Sequence, residues 1–550
     1  MRKTMWVMPV ILCAAMSLRG CSLAVTDGGA MDAASLRYVA GERADKRQGE
    51  RQEEPAHLKG FTDELELVDG RARLSLEQVV RRTLRNSLDI QVASYSPAMA
   101  EADILVAESA FDASWFLDGS INKTDTPVNS FLAAGGASAL MQDNRLVSSG
   151  IRKPLVTGGS IAVSENLDYL ASNSTFVTSP SYATNVMVEL TQPLLRDMGL
   201  DANKARIYVA SHNRDASVED FRRQVMDVLV EVEATYWELV FAHRDVDVRR
   251  SSLALAEEVY RKEQSRAKAM MARKLEVSRA RAAVTSRQAE LITAENQVRN
   301  LSDRLKNLMN DPRLPLTEVS QIVPTDEPQT SHPSSDRQAD VITAIEMRPE
   351  LRQLRSQVLA NDVSRRYYRN QLLPRLDLSF AWRRNSLGGD SGEAFKQQFT
   401  GEFNDYVTGL TAEVPIGNRK AEAEHRKSRL SLDQSMLQLE NQTQDVILEV
   451  NTAIRQVETA LEEISATREA RVAAQDTLDG EQARYDVGDV TNEELLRAQR
   501  DVEEAVRNEL RAVTAFNKAV IALERAKGTL LDYNNITVLP KDYQHAQADR

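Results

Sequence analysis

The sequence predicts a mainly α-helical chain carrying short groups of β-strands, assembled twice over from a helix, strands and a long helical hairpin. Three observations predict it. Two proline-free spans, about 203–310 and about 419–527, keep a helical apolar period for roughly a hundred residues each. Shorter stretches alternate with period two instead, as in "SWFLDGSIN" (114–122), where Trp115, Leu117 and Ile121 oppose Ser114, Asp118 and Ser120. Finally, one offset of 218 aligns 228–242 with 446–460 and 263–280 with 481–498, matching Glu263, Gln264, Arg266, Glu276, Arg279 and Ala280 to Glu481, Gln482, Arg484, Glu494, Arg497 and Ala498. A shared offset over more than fifty residues marks an internal duplication.

The elements follow in order. "MRKTMWVMPVILCAAMSLRGC" has a basic start, an apolar run too short to span a bilayer and a small-residue site, which predicts a signal peptide over 1–20. Leu18, Gly20 and Cys21 resemble a bacterial lipobox, so Cys21 is a candidate for acylation. The alternative is an ordinary cysteine beside a plain cleavage site, and Arg19 departs from the small or apolar residue usual there. With Cys13 inside the leader, no disulfide framework or cysteine metal cluster is available downstream. Residues 21–73 are polar and aperiodic and predict a flexible tether.

The first repeat is expected over 74–310, with strands about 112–193 and a helical hairpin about 203–310; 111–193 offers three or four alternating stretches, of which "SSGIRKPLVTGG" and "SIAVSE" form either one long bent strand or a loop hairpin. Five prolines between 312 and 333 make 311–339 a linker. The second repeat is expected over 340–530, with a helix ending at Pro374, strands about 375–415 separated by a Gly-rich loop at 387–392, and a hairpin about 419–527. A tail, 531–550, follows. Pro193, Pro374 and Pro415 mark the strand–helix turns. Within the second hairpin, Ile447, Val450, Ile454, Val457, Leu461 and Ile464 form a heptad seam. The hairpin turns at "DVGDVTNEE": Gly488 supplies a left-handed cap, Asp489, Thr491 or Asn492 starts the next helix, and Glu493 and Glu494 favour its positive end. The first copy carries Met270 where the second has Gly488, so its tip is either a softer turn or a continuous helix.

Composition excludes several functions. A net charge of -12 without a basic block argues against nucleic acid as a partner. The six histidines fall in no metal-ligand spacing, and the chain lacks the nucleophile-elbow, phosphate-loop and dinucleotide patterns, so neither an enzyme nor a bound cofactor is expected. His243 falls at a seam position and is expected to pack.

"ELTQPLLRDMG" (189–199), "LLPRLDLSF" (372–380), "EVPIGN" (413–418), "RYDVGDVTNEELLRAQ" (484–499) and "GTLLDYNNITV" (528–538), by their order, spacing and the duplication, resemble the TolC-like outer-membrane efflux protein family over nearly all of 74–539. The resemblance implies a homotrimer in which each copy gives four strands to a shared outer-membrane β-barrel, joined to a periplasmic tunnel of long helices. It implies an exit duct working with a periplasmic adaptor and an inner-membrane transporter, in contact with outer-membrane lipid, and it leaves the cargo open among drugs, metal ions and polypeptides. By position, Glu494 matches a ring carboxylate of the periplasmic gate, Tyr485 a gate hydrogen-bonding side chain and Glu276 its acidic partner, while Arg497 stands where a second acidic residue is expected. Gly488 and Asp489 match the adaptor-facing tip, with Met270 and Met271 on the other hairpin. Trp115, Tyr182, Trp382 and Tyr406 are either membrane-interface anchors or packing residues between copies. The rival to a duct is an exported, lipid-anchored coiled-coil scaffold without a pore; for Glu494 the rival is a helix-start carboxylate facing only its own backbone.

Overall fold

The computed structural model describes residues 67–68, 70–129, 134–269, 274–318, 320–331, 336–400, 403–487 and 489–536. Cys21, Met270, Met271 and Gly488 lie outside them. Among the described residues no helix is long and apolar enough to cross a membrane.

The alternating stretches assemble into one antiparallel sheet of six strands. These are β3 (Ser114–Pro127), β4 (Ala139–Pro154), β5 (Ser160–Ser172), β6 (Ser181–Pro193), β8 (Arg375–Gly388) and β9 (Asn404–Glu413), paired in that order. The resemblance implies four strands per copy and the sheet has six, the three or four alternating stretches of 111–193 being four strands. The first half supplies four strands, because β4 is a strand in its own right even though Arg145 and Ser149 interrupt its apolar side and hide the alternation.

The register sorts the side chains by face. Trp115, Ile151, Val163, Val188, Trp382 and Tyr406 lie opposite one another in a row across all six strands. Three residues along the strands, on the other face, the matching row reads Asp118, Ser148, Asn166, Asn185 and Asn385. Asn166 Nδ2 donates to Asn185 Oδ1 at 2.8 Å within that row. One face is thus apolar and largely exposed, and the other is polar. Polar residues on the apolar face at the sheet's far end are covered by a helix, α9 (Ser391–Thr400), where the sequence read a glycine-rich loop. Its buried Gln398 donates to Glu165 Oε2 at 3.0 Å and accepts from Thr184 Oγ1 at 2.9 Å.

Below the sheet run two helix pairs. α5 (Ala205–Lys268) and α6 (Lys274–Met309) form the first, α10 (Arg419–Asp486) and α11 (Asn492–Lys527) the second. The 64 and 68 residues of α5 and α10 correspond to about 100 Å each, but the 36 of α6 and α11 to only about 54 Å. The arms are unequal, where a fold at the midpoint would have made them alike. Ion pairs Arg304–Glu231 (2.9 Å) and Arg249–Glu290 (3.1 Å) set α6 antiparallel to α5. The ends of α5 and α10 (268 and 486), the starts of α6 and α11 (274 and 492) and their ends (309 and 527) are each 218 positions apart.

The missing length beside α5 and α10 is filled by α3 (Tyr95–Glu108) and α8 (Pro349–Asn370). Before α3 stand α1 (Leu76–Asn86) and α2 (Leu88–Ala93); before α8 stands α7 (Arg337–Met347), separated from it at Arg348 because Pro349 opens a new helix. A small sheet closes the middle. β1 (Leu67–Val68) pairs with β2 (Arg71–Leu74), and β2 runs parallel to β7 (Gln321–Pro324). Among the described residues, strands therefore occur inside both the expected tether and the expected linker, where Leu74, Leu314 and Ile322 are buried among Leu229, Val232, Tyr236, Leu239, Leu305 and Met309. Leu530 and Leu531 of a last short helix, α12 (Leu530–Tyr533), join the same core. His243 packs there as expected, its Nε2 3.0 Å from the Ile322 carbonyl oxygen, with burial holding its pKa down. The second pair has its own core, in which Val446, Val450, Ala453, Val457, Ala460 and Ile464 meet Phe516, Val520 and Leu523. Of the expected seam, Val450, Ile454, Val457 and Ile464 are buried here; Ala453 joins them beside Ile454, and Ala460 takes the place of Leu461, which faces outward.

Candidate functional site at the helix tips

The ends of α5 and α10 farthest from the sheet bring together most of the residues singled out above. Tyr485, in the last turn of α10, is fully buried with Val259, Ala280, Leu495 and Leu496, a small apolar cluster that joins the two pairs. Its hydroxyl donates to Glu263 Oε1 at 2.5 Å. Arg266 lies 4.7 Å from the ring centroid and 3.2 Å from the same carboxylate, so Glu263 is neutralised where it is buried. Burial and the bond to Glu263 push the Tyr485 pKa up, which keeps it a hydrogen-bond donor.

The carboxylate that meets Tyr485 is thus Glu263, where position had pointed to Glu276. Glu276 sits in the first turn of α6, 3.6 Å from Arg279, and its backbone carbonyl accepts from Asn492 Nδ2 at 3.2 Å. Arg279 also reaches Glu493 at 3.0 Å, so the start of α6 is tied to the start of α11. The signal for Glu263 was present: it is the repeat partner of Glu481, one turn before Tyr485.

Glu494 closes a capping box with Thr491, accepting the Thr491 backbone N–H at 3.0 Å. It is exposed, and so is Arg497, which makes no hydrogen bond or ion pair among the described residues. Asp489 folds back on α10, its N–H donating to the Arg484 carbonyl at 2.9 Å and its carboxylate 3.1 Å from Arg484 Nε. Pro193, Pro374 and Pro415 belong to the opposite end, some hundred ångströms away by helix length. There Pro193 ends β6 facing Asp377, the Leu194 and Arg196 N–H groups donate to the Leu376 and Pro374 carbonyls, and Pro415 leads into Gly417 and Asn418, both at positive φ, before α10.

From tip to middle the two pairs are laced by polar contacts. Ser252 donates to Glu503 (2.5 Å), Arg507 to Asp245 (2.5 Å), Lys518 to Glu238 (2.6 Å) and Arg525 to Asp227 (2.9 Å). Arg287, buried, donates to the Ser252 carbonyl of its own pair at 2.8 Å and to Gln499 Oε1 on α11 at 3.4 Å. Between α6 and α11 a charged cleft of about 590 Å³ opens, lined by Arg279, Glu290, Glu493, Arg500 and Glu503. Within it Arg279 pairs with Glu493, while Glu290 and Glu503 reach Arg249 and Ser252 on α5, so among the described residues these groups tie helices together.

The sequence profile of the family described as outer membrane efflux protein matches residues 79–311 and 342–529. The chain belongs to that family. Efflux channels of this family act in the outer membrane of Gram-negative bacteria, extend into the periplasm and are channels rather than enzymes. The efflux protein resembles the outer-membrane channel OprN (16% identity, TM-score 0.61, covering 82% of this chain and 90% of that one). It resembles the CmeC outer-membrane channel of Campylobacter jejuni (16%, 0.59, 83% and 86%) and the open state of the MtrE outer-membrane channel of Neisseria gonorrhoeae (16%, 0.57, 88% and 98%). At these identities the likeness is one of fold. No curated protein sequence matches the chain.

Proposed function

We propose that the efflux protein is a homotrimeric exit duct, lipid-anchored through Cys21, that passes cargo passively from a periplasmic adaptor and an inner-membrane transporter to the exterior. The observation that carries this reading is the six-strand sheet, apolar on one face, polar on the other and open at both edges, joined directly to helix pairs about 100 Å long. Such a sheet needs lipid against one face, and further copies against its edges, because unpaired backbone groups are too costly in a bilayer. The polar face then lines the bore and the helices continue it. A scaffold without a pore has no use for it.

The matching boundaries of the two helix pairs support an internal duplication, hence a tunnel wall of near-equivalent units. At the tips, Tyr485, Glu263 and the Asn492–Glu276 and Arg279–Glu493 contacts form a latch between the pairs of one copy, with Glu494 and Arg497 exposed toward the opening. The capping role of Glu494 spends one carboxylate oxygen and leaves its charge in place, so a three-fold ring of Glu494 favours cations. Gly488, Asp489, Met270 and Met271 are the adaptor-facing tips. Opening separates α5 and α6 from α10 and α11 at their ends while the middle stays packed.

Purified protein in planar bilayers tests the reading. Cation-selective conductance from particles of trimeric mass is expected, whereas an elongated soluble particle without conductance refutes the duct. Replacing Cys21→Ser while following labelled fatty acid tests the anchor: unchanged labelling refutes acylation there.

A further inference from the structure

We propose that three copies close a barrel of eighteen strands, β3 of one copy pairing with β9 of the next; this deepens the exit-duct reading and rests on its trimer. The sheet has two edges, β3 and β9, and they are its most exposed strands. β3 leaves the helices and β9 returns to them, so an even count of six makes the edges of neighbouring copies antiparallel, like every pairing inside the sheet. The apolar face reaches both edges, with Trp115, Leu117 and Ile121 on β3 and Tyr406 and Leu410 on β9 all exposed. An apolar edge strand with a free ladder needs a second chain.

All four strands of the first half run the full height of the wall. The β4–β5 turn, 155–159, is fastened at the helix end of the sheet: the Gly199 N–H donates to the Thr157 carbonyl at 3.1 Å, and Thr157 Oγ1 donates to Gln192 Oε1 at 2.9 Å. Gly158 has φ +94°, and a Cβ there meets the Asp197 carbonyl oxygen at 2.1 Å, so the turn is pressed against the segment leading into α5. The additional hairpin is thus built into the sheet, with no freedom to hang outside as a loop.

Girth supports the count. Strands about 4.8 Å apart and tilted about 40° give eighteen of them a circumference of about 110 Å, against about 75 Å for twelve. The tunnel below has four helices per copy, and twelve helices at 8–10 Å spacing span roughly 95–120 Å. Eighteen strands therefore continue the tunnel without a step, and passage is limited at the helix tips rather than in the membrane.

Paired cysteines distinguish the two counts. Leu117→Cys on β3 is combined in turn with Tyr406→Cys, Thr408→Cys and Leu410→Cys on β9; a second set replaces Leu117→Cys by Val163→Cys on β5, the edge that a four-strand contribution leaves free. After oxidation in outer-membrane fractions, a covalent trimer from one of the β3 pairs and monomer from every β5 pair is the expected result. Crosslinks in the β5 set, or none in either set from particles of trimeric mass, overturn the eighteen-strand barrel while leaving the duct intact. Monomeric mass overturns both.

Discussion

Two buried tyrosines, one in the middle of the helices and one at their tips, make the same bond in different surroundings. Tyr236 donates to Asp326 Oδ2 at 2.8 Å and Tyr485 to Glu263 Oε1 at 2.5 Å, and neither ring is reached by solvent. Around Tyr236 lies the main core, which gathers α1, α5, α6, α12 and the small sheet. Around Tyr485 lie only Val259, Ala280, Leu495 and Leu496 as buried apolar neighbours, with charges beyond them. On the proposed reading the same donor–carboxylate pair is a structural clamp where apolar burial surrounds it and a releasable latch where it does not, because burial supplies most of the stabilisation and a hydrogen bond only about 1 kcal/mol.

The comparison breaks most visibly in the core. Leu305→Ala, fully buried beside Tyr236, is expected to cost roughly 2–5 kcal/mol and to lower yield and melting temperature without changing conductance per trimer. A change in conductance without loss of stability contradicts the assignment of this core as static.

Next is the carboxyl of Glu233, buried one turn from Tyr236 with Asn534 Nδ2 2.8 Å from Oε1, whose pKa burial raises from 4.5 to about 7. As pH rises, the unfolded chain loses this proton first, so the stability present below about 4.5 is lost through about 7. Glu233→Gln is expected to stabilise the protein by up to about 3 kcal/mol at pH 8 and not at pH 4.5, read from denaturant midpoints. Equal midpoint shifts at the two pH values refute the assignment.

At the tip, Tyr485→Phe is expected to cost on the order of 1 kcal/mol, confined to the ends of the helices. Amide exchange is expected to quicken over 259–266 and 485–496 and to stay unchanged around Tyr236; protein-wide acceleration argues against a local latch. Smallest in stability is Glu494→Gln, because glutamine also closes a capping box. Its expected signature is a fall in cation selectivity with an unchanged melting temperature, and unchanged selectivity removes Glu494 from the bore.

Local signals made much of this legible. Pro193, Pro374 and Pro415 punctuate the strand–helix junctions, and the tip sequence around Thr491 announces its helix start because capping is decided within four residues. What was missed depends on distant partners. The β2–β7 pairing joins Arg71–Leu74 to residues 250 positions away, so nothing in either stretch alone announces a strand. Ala460 holds a seam position that apolarity alone assigned to Leu461. Pro349 splits a helix from inside an otherwise even pattern, and β4 was legible only in its last part, from Ser148, because Arg145 and Ser149 interrupt its apolar side. Tyr485 was found by its motif, while Glu263 was not, since its role exists only where the two pairs touch.

On the proposed reading the tip is the releasable end of a conducting trimer. Single-channel recording of the wild type, Tyr485→Phe and Tyr236→Phe at equal trimer content tests it most directly. The account predicts a low-conducting, cation-selective wild type, a several-fold higher open probability for Tyr485→Phe, and wild-type conductance for Tyr236→Phe despite its lower stability. Equal conductance in all three, or a larger response from Tyr236→Phe, contradicts it.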